Sequence, residues 1–453
     1  MSCSAACRPT VARRSAAIAA IVLALALPAI LGGCVNNKVA TAPAHLQAPV
    51  APQAGSPPAS EQVGETSVPP VTPTGDQVRV ALLLPLSGAS GAIGRAMLDA
   101  AQMALFDTAD EHFVLLPRDT EGTPEGAARA AAATLAEGAE LILGPLLAGE
   151  VEAVKPLARQ AGISMVAFST ADQLAGNGTF LLSFPPRQSV DRIVAYAHER
   201  GATRFAALAP NTPYGQLVVN ALHEATAAVG ASVVDAETYD PAANDFRPVV
   251  RRLANFDERR AALGRERQQL QAAGDEASRQ ALQRLAGRET SSELGFDAVL
   301  LPDGGGKLKA VASLLPYFDI DPGRVRVLGT GLWDEPGLGN EPALVGGWFA
   351  APPPAARGEF EKHFRELYKQ APPRLATLGY DATALAAILA RKPRRDAFTP
   401  ASLADPSGFA GVDGIFRFRP DGVVERGLAV IEVGRDGTKV VSPAPDTFER
   451  PTS

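Results

Sequence analysis

From Gln77 onward the sequence alternates short apolar runs with helical stretches, and this alternation constrains the fold more than any other feature. Val80–Leu84 is an unbroken apolar run with the length of a buried strand. The stretch 92–106 follows, with Ile93, Met97, Ala101, Ala104 and Leu105 at helical spacing. The pattern continues as strand 113–116, helix 124–137, strand 141–143, helix 150–160 and strand 164–168. It then restarts with helix 189–200, strand 205–208, helix 214–229 and strand 232–239. Further strands are expected at 298–301 and 325–328, and helices at 358–370 and 380–390. Strands at 414–418 and 428–433, around a turn near Asp421-Gly422, close the pattern. Strands separated by helices of this length require crossovers and a parallel sheet. The fold class is therefore α/β, with two doubly wound parallel-sheet lobes joined by crossover segments. The expected boundaries are 77–188 plus 340–395 for one lobe and 189–339 plus 396–435 for the other, with 436–453 a disordered tail.

One block breaks the alternation. Residues 255–293 are dense in Arg, Glu, Gln and Ala. Phe256, Leu263 and Leu270 recur every seven residues, and Leu282 and Leu285 continue an apolar stripe beyond Gly274. Good helix formers with so narrow a seam predict two antiparallel helices hinged near Gly274. Such an insert either caps its own lobe or forms a charged arm on which a partner docks.

Charge and cysteine content exclude whole classes of function. The net charge of −6 disfavours nucleic-acid binding, which draws on basic patches. Hydrophobic residues make up 46% of the chain, enough for cores that hold without crosslinks. Of three cysteines, Cys3 and Cys7 precede the small pair Gly32-Gly33, and Cys34 follows it.

Those first residues form a unit of their own. Arg8, Arg13 and Arg14 precede an apolar run from Ala16 to Leu31, the order of a secretory signal. The run is shorter than the roughly 20 residues that span a bilayer. Leu31-Gly32-Gly33-Cys34 resembles a bacterial lipobox. That resemblance implies cleavage before Cys34 and lipid attachment to its sulfur. The mature chain then carries −9, because residues 1–33 hold three arginines and no acid. Cys34 is its one cysteine, so no internal disulfide forms. Residue 35 is Val, and the absence of Asp there favours the outer membrane by analogy with enterobacterial lipoproteins. Residues 34–76 are rich in Ala and Pro and hold no aromatic residue, the composition of a semi-extended tether. Its reach is roughly 35 Å as a coil and over ~100 Å if polyproline-like.

Several ordered segments resemble the type I periplasmic binding proteins. They are Val80-Ala81-Leu82-Leu83-Leu84-Pro85-Leu86-Ser87-Gly88, Leu143-Gly144-Pro145, the stretch 163–169, Pro213-Tyr214-Gly215 and Gly379-Tyr380-Asp381-Ala382. The resemblance covers about residues 77–433 and implies two similar lobes, three crossovers and a ligand cleft at the hinge. Ligands of open parallel sheets sit beyond the carboxyl ends of the strands, where helix N-termini favour anions. Ser87, Ser169, Thr170, Tyr214, Thr330 and Asp381 are the candidate cleft residues. Capping or turn formation is the alternative role of the Ser and Thr residues and of Asp381, which is read as opening a helix.

The chain departs from the branched-chain amino-acid binders of this fold. Leu146-Leu147-Ala148-Gly149 offers no hydroxyl where those binders have one, and Gly331 stands where an acid pairs the ligand ammonium. Tyr214 matches a ligand-contacting aromatic, and Asp334 lies near enough to replace the missing acid. With the lipobox, tether and charged insert, these departures resemble the penicillin-binding-protein activators, outer-membrane lipoproteins that stimulate bifunctional peptidoglycan synthases. Leu301-Pro302-Asp303-Gly304-Gly305-Gly306 and Leu328-Gly329-Thr330-Gly331-Leu332-Trp333 are similar to segments of that branch in alphaproteobacteria. Enterobacterial members carry an additional helical-repeat domain ahead of this body, whereas a short tether is expected here.

Catalytic groups are not assembled. His45, His112, His198, His223 and His363 are scattered without metal-ligand spacing. Asp303-Gly304-Gly305-Gly306-Lys307 lacks the full phosphate-loop pattern and reads as a capped strand-to-helix turn. The expected protein is not an enzyme and uses no cofactor or metal. Its expected partners are a bifunctional peptidoglycan synthase, the membrane through its lipid, and a small-molecule ligand; the alternative is a solute receptor for an amino-acid or amide ABC importer.

Overall fold

The computed structural model describes residues 77–291 and 293–448. The signal segment, Cys34 and the tether lie outside the described residues, so the expectations placed on them are not addressed by it.

The first lobe is laid down by three strand–helix steps and two further strands. These are β1 (Val78–Leu84), α1 (Gly91–Thr108), β2 (Phe113–Asp119), α2 (Pro124–Ala136), β3 (Leu141–Leu143), α3 (Ala148–Ala161), β4 (Ser164–Ala167) and β5 (Thr179–Leu181). The strands form a parallel sheet in the order β2-β1-β3-β4-β5. Residues alternate sides along a strand, so one apolar run serves two cores. Val80, Leu82 and Leu84 pack with Met97 and Ala101 of α1, while Ala81 and Leu83 pack with residues of α2 and α3 such as Ala127 and Val151. Each fully buried Leu there contributes roughly 1.5–3 kcal/mol relative to exposure.

The second lobe comprises α4 (Pro186–His198), β6 (Arg204–Pro210), α5 (Pro213–Ala228), β7 (Ser232–Tyr239), α6 (Arg247–Leu253), α7 (Phe256–Ala273), α8 (Glu276–Leu285), β8 (Ala298–Leu300), α9 (Gly305–Ala312), β9 (Arg326–Gly329) and β10 (Trp348–Ala351). The chain then returns to the first lobe with α10 (Pro354–Tyr368), α11 (Ala376–Ala390), α12 (Arg394–Ala397), α13 (Pro400–Leu403), β11 (Phe409–Gly411), β12 (Gly414–Phe418) and β13 (Val424–Arg426). It finishes in the second lobe with β14 (Ala429–Gly434) and β15 (Gly437–Ser442). The second sheet has the order β15-β14-β10-β9-β8-β6-β7. Its strands β6 to β10 run parallel, and β14 and β15 add an antiparallel edge. Mixed α/β lobes with parallel sheets are thus the architecture of this chain.

The chain passes between lobes at 182–185, at 352–353 and at 427–428. Two passages are proline-rich, Pro185-Pro186 and Pro352-Pro353-Pro354, which holds them extended.

Four expectations are corrected. Residues 340–351 belong to the second lobe, because Trp348–Ala351 pairs with β9 and β14. Residues 396–426 belong with the first, because Phe398, Leu403, Phe416 and Phe418 complete its core. The hairpin at Asp421-Gly422 joins β12 to β13, not to the strand at 429–434. The expected tail contains β15, whose exposed edge gives little apolar signal.

The insert forms the expected pair of helices. Gly274 ends α7 in the left-handed region at φ 65°, and Asp275 caps α8 by accepting from the Ser278 N–H at 2.7 Å. Phe256 and Leu263 are buried, and Arg267 closes the carboxyl end of α8 by donating to the Leu285 carbonyl at 2.8 Å. Among the described residues no helix is long and apolar enough to cross a membrane.

Candidate functional site

A repeated tetrapeptide builds the rim of each lobe. Thr123-Pro124-Glu125-Gly126 opens α2 and Thr212-Pro213-Tyr214-Gly215 opens α5. In both, the threonine hydroxyl caps the glycine N–H, at 3.0 and 3.1 Å, and proline takes the first helical position. A Cβ at Gly215 would lie 1.9 Å from the Pro210 carbonyl oxygen, so only glycine lets the helix start against its strand. This close start places Tyr214 over the carboxyl end of the second sheet.

Between the lobes lies a cavity of about 360 Å³. The first lobe contributes Phe168, Thr170, Ser183 and Phe184, and Leu375 and Leu378 on its returning helix. The second contributes Ser189, Tyr214, Thr330, Gly331 and Leu332. Pro185, Pro186, Pro352, Arg426 and Leu428 come from around the crossings, so both lobes and the hinge share this wall. Most of the surface is apolar, and its polar groups are few and clustered, the pattern of a small-molecule site.

On the second-lobe side, the Tyr214 hydroxyl and Thr330 Oγ1 are 2.9 Å apart. Burial pushes the Tyr214 phenol up to about 12. Gly329 lies against Trp333, where a Cβ would fall 2.1 Å from the indole, and Trp333 donates to the Leu301 carbonyl at 3.0 Å. That packing fixes the turn carrying Thr330. At Gly331 a Cβ would meet nothing closer than 3.8 Å, so the missing acid leaves room rather than a clash.

On the opposite side sits a network of buried charges. Arg357 chelates Asp334, with one contact at 2.8 Å. Arg374 bridges Asp334 at 3.2 Å and Asp413 at 2.8 Å. Arg426 donates from Nε to the Ser183 carbonyl at 2.6 Å, while its two terminal nitrogens have no protein hydrogen-bond partner. Its guanidinium stacks 4.6 Å from the Phe184 ring, and that of Arg374 lies 4.1 Å from the same ring. Asp381 accepts from the Val412 N–H at 2.8 Å, and burial, with Asp413 beside it, pushes its carboxyl up to about 7.

The sequence-selected residues divide accordingly. Thr170, Tyr214 and Thr330 line the cavity. Ser169 does not; its Oγ accepts from the Ala171 N–H at 3.2 Å and shapes the turn beneath. Ser87 is exposed in the loop after β1 and hydrogen-bonds Asp119. Asp381 is buried inside α11, which begins at Ala376, so the helix-opening role is corrected; the apolar start Ala376-Thr377-Leu378 masked the true boundary. Asp334 lines the cavity with its carboxylate already held by two arginines, which leaves it poorly placed to replace a ligand-ammonium partner. Arg374 and Arg426 were not selected. They lie 52 residues apart within the chain's return to the first lobe and meet at Phe184 of the first crossing.

Other candidate chemistry is structural. Asp303 accepts from the Gly304 N–H at 2.8 Å and from the Tyr239 hydroxyl, and Glu335 takes the Gly305 N–H at 2.9 Å. Carboxylates therefore occupy the glycine loop that a phosphate would need. Among the described residues no group of three or more His, Cys, Asp or Glu is placed to hold a metal.

Known proteins share this fold. A family described as periplasmic binding protein matches residues 77–258. A putative branched-chain amino-acid ABC transporter protein from Rhodospirillum rubrum superposes with a TM-score of 0.64 at 19% identity, over 81% of this chain and all of that one. This chain has the type I periplasmic-binding-protein fold. A solute-binding protein of an ABC transporter from Rhodopseudomonas palustris, in complex with 3,4-dihydroxybenzoic acid, shares the fold at a TM-score of 0.57 and 18% identity, over 82% of this chain and 99% of that one. So does a branched-chain amino-acid binding protein from Streptococcus pneumoniae in complex with isoleucine, at 0.53 and 18%, over 81% and 100%. No curated protein matches by sequence.

Proposed function

We propose that this protein is a non-enzymatic periplasmic lipoprotein, anchored through Cys34, whose two lobes close on a small carboxylate with an apolar body. The observation that carries the reading is the paired arginine wall of an otherwise apolar interlobe cavity, above all the unpartnered terminal nitrogens of Arg426. Terminal guanidinium nitrogens that are buried without hydrogen-bond partners are costly, and a carboxylate can accept from both at once. The Tyr214–Thr330 pair faces the other end of the ligand. Fold relatives support the class, since 3,4-dihydroxybenzoic acid and isoleucine both present a carboxylate on an apolar frame. Delivery to an ABC importer is the output these relatives favour.

The test is thermal unfolding of the chain without its first 34 residues, with benzoate, 3,4-dihydroxybenzoate, isoleucine and the matching neutral amides. A ligand at 100 times its Kd stabilises by about 2.7 kcal/mol. A shift with acids and none with amides supports the reading, and indifference to the whole panel overturns it.

A second output is favoured by one feature, the α7–α8 hairpin, which presents two polar helices to solvent. In that reading the body binds and activates a bifunctional peptidoglycan synthase at the outer membrane, by differential affinity for its active state. Adding the protein to such a synthase and following glycan polymerisation and crosslinking tests it. Unchanged rates overturn it.

A further inference from the structure

A second concavity lies at the base of the α7–α8 hairpin, with a volume of about 1040 Å³. Residues 287–291 precede β8 and residues 316–324 precede β9, so it opens toward the amino ends of the second sheet, the end opposite the cleft. Six arginines line it, Arg247, Arg251, Arg259, Arg260, Arg288 and Arg324, against the three acids Glu289, Asp319 and Asp321. This excess of positive charge stands on a chain whose net charge is −6.

The arginines are not equivalent. Arg259 is buried and spends its donors on the Ser291 and Ala254 carbonyls, at 2.8 and 3.3 Å. Arg247 and Arg251 pair with Asp245 and Asp257. Arg260, Arg288 and Arg324 are exposed and make no ion pair with the described residues. Tyr317 is 70% exposed at the mouth and stands edge-on to Phe318, 4.9 Å away, while Phe318 packs on Phe256 at 5.4 Å. The groove therefore offers unpaired guanidinium groups beside an exposed aromatic ring.

We infer that this groove docks an extended acidic segment of another protein, carrying carboxylates for Arg260, Arg288 and Arg324 and an apolar side chain for Tyr317. Its volume lies at the upper limit of small-ligand pockets, and it is open along one side, which suits a chain better than a metabolite. Guanidinium groups recognise carboxylates bidentately, and a concentration of one charge sign speeds encounter with the other. The inference does not depend on what the interlobe cleft holds.

The full chain in detergent is titrated into a fluorescein-labelled twelve-residue peptide of Asp and Glu with two Phe. The controls are a Lys peptide of the same pattern, an acidic peptide without Phe, and anionic phosphatidylglycerol vesicles. Expected are saturable binding of the acidic Phe peptide, weakening at high salt, and at least about tenfold loss in the triple variant R260E/R288E/R324E. Tyr317→Ala weakens the Phe peptide severalfold and leaves the Phe-free peptide unchanged. All four positions are exposed, and unchanged thermal unfolding confirms that each variant is folded. Absent peptide binding, equal binding by the triple variant, or vesicle binding that matches the peptide's overturns the inference. Thermal shifts with benzoate or isoleucine in the triple variant report the cleft separately.

Discussion

The interlobe network and the helical hairpin are both rich in charge, yet water treats them oppositely. At the hinge, Asp413 is fully buried and Arg426 is 5% exposed, and Arg374 ties Asp413 to Asp334 of the other lobe. On the hairpin, Arg279 and Glu276 pair at 3.2 Å with both side chains more than half exposed. The first arrangement fixes geometry at a desolvation cost; the second contributes little to stability and leaves its groups available to a partner. Charges buried at the hinge are thus separated from charges available for recognition.

The largest effect is expected where a buried charge loses its counterpart. Arg426→Met removes a buried positive charge that offsets the nearby Asp381 and Asp413 carboxyls. The expected cost is about 3–5 kcal/mol in urea unfolding. A loss below ~1 kcal/mol would place this network with the solvated pairs of the hairpin and erase the contrast.

The next effect is a pH dependence. Asp381 titrates near 7 in the folded chain and near 3.9 when unfolded. Between those values the folded state holds a proton that the unfolded state has released. The resulting stability is full below about pH 4 and is lost as pH rises through 7. Asp381→Asn keeps an oxygen for the Val412 N–H and cannot ionise. The fall in urea midpoint from pH 5 to pH 7.5 should therefore be smaller in the variant than in the parent. Equal slopes would show that Asp381 is ionised throughout.

A smaller effect belongs to the opposite wall. Tyr214→Phe removes the hydroxyl that meets Thr330 at 2.9 Å without opening a cavity. The expected loss is about 0.5–1.5 kcal/mol of carboxylate affinity, read by calorimetry, with the unfolding midpoint nearly unchanged.

The same contrast explains what was legible in the sequence. Leu82, Met97 and Val151 announce their faces because burial follows the period of strand or helix. The Gly274 break is visible because a helix of good formers stops at a residue suited to the left-handed region. Tyr214 is legible because Pro213-Tyr214-Gly215 resembles the segment that carries a ligand-contacting aromatic in the type I binding proteins. Arg374 and Arg426 give no such signal, since a lone arginine reads as surface and only the chain's return to the first lobe brings them beside Phe184. The strand at 348–351 was missed because four apolar residues carry no measurable period, and β15 because its edge is exposed. Local order was legible, whereas the contacts made across the hinge were not.

The smallest effect tests the hairpin end of the comparison. Asp275 caps α8 from a fully exposed position, accepting only from Ser278. Asp275→Ala removes that acceptor and frees the first turn, because Ala cannot satisfy the orphan N–H groups. Ser278 is the one buried residue of α8, so little else ties this helix to the lobe. Hydrogen exchange across 276–285 should quicken severalfold while exchange in β6, β8 and β9 stays as it was, the signature of a unit that opens on its own. If exchange in the sheet quickens as well, the hairpin is a structural cap coupled to the second-lobe core through Phe256 and Leu263. Its charges would then serve the fold before any partner, and the groove at its base would change shape with every cap mutation.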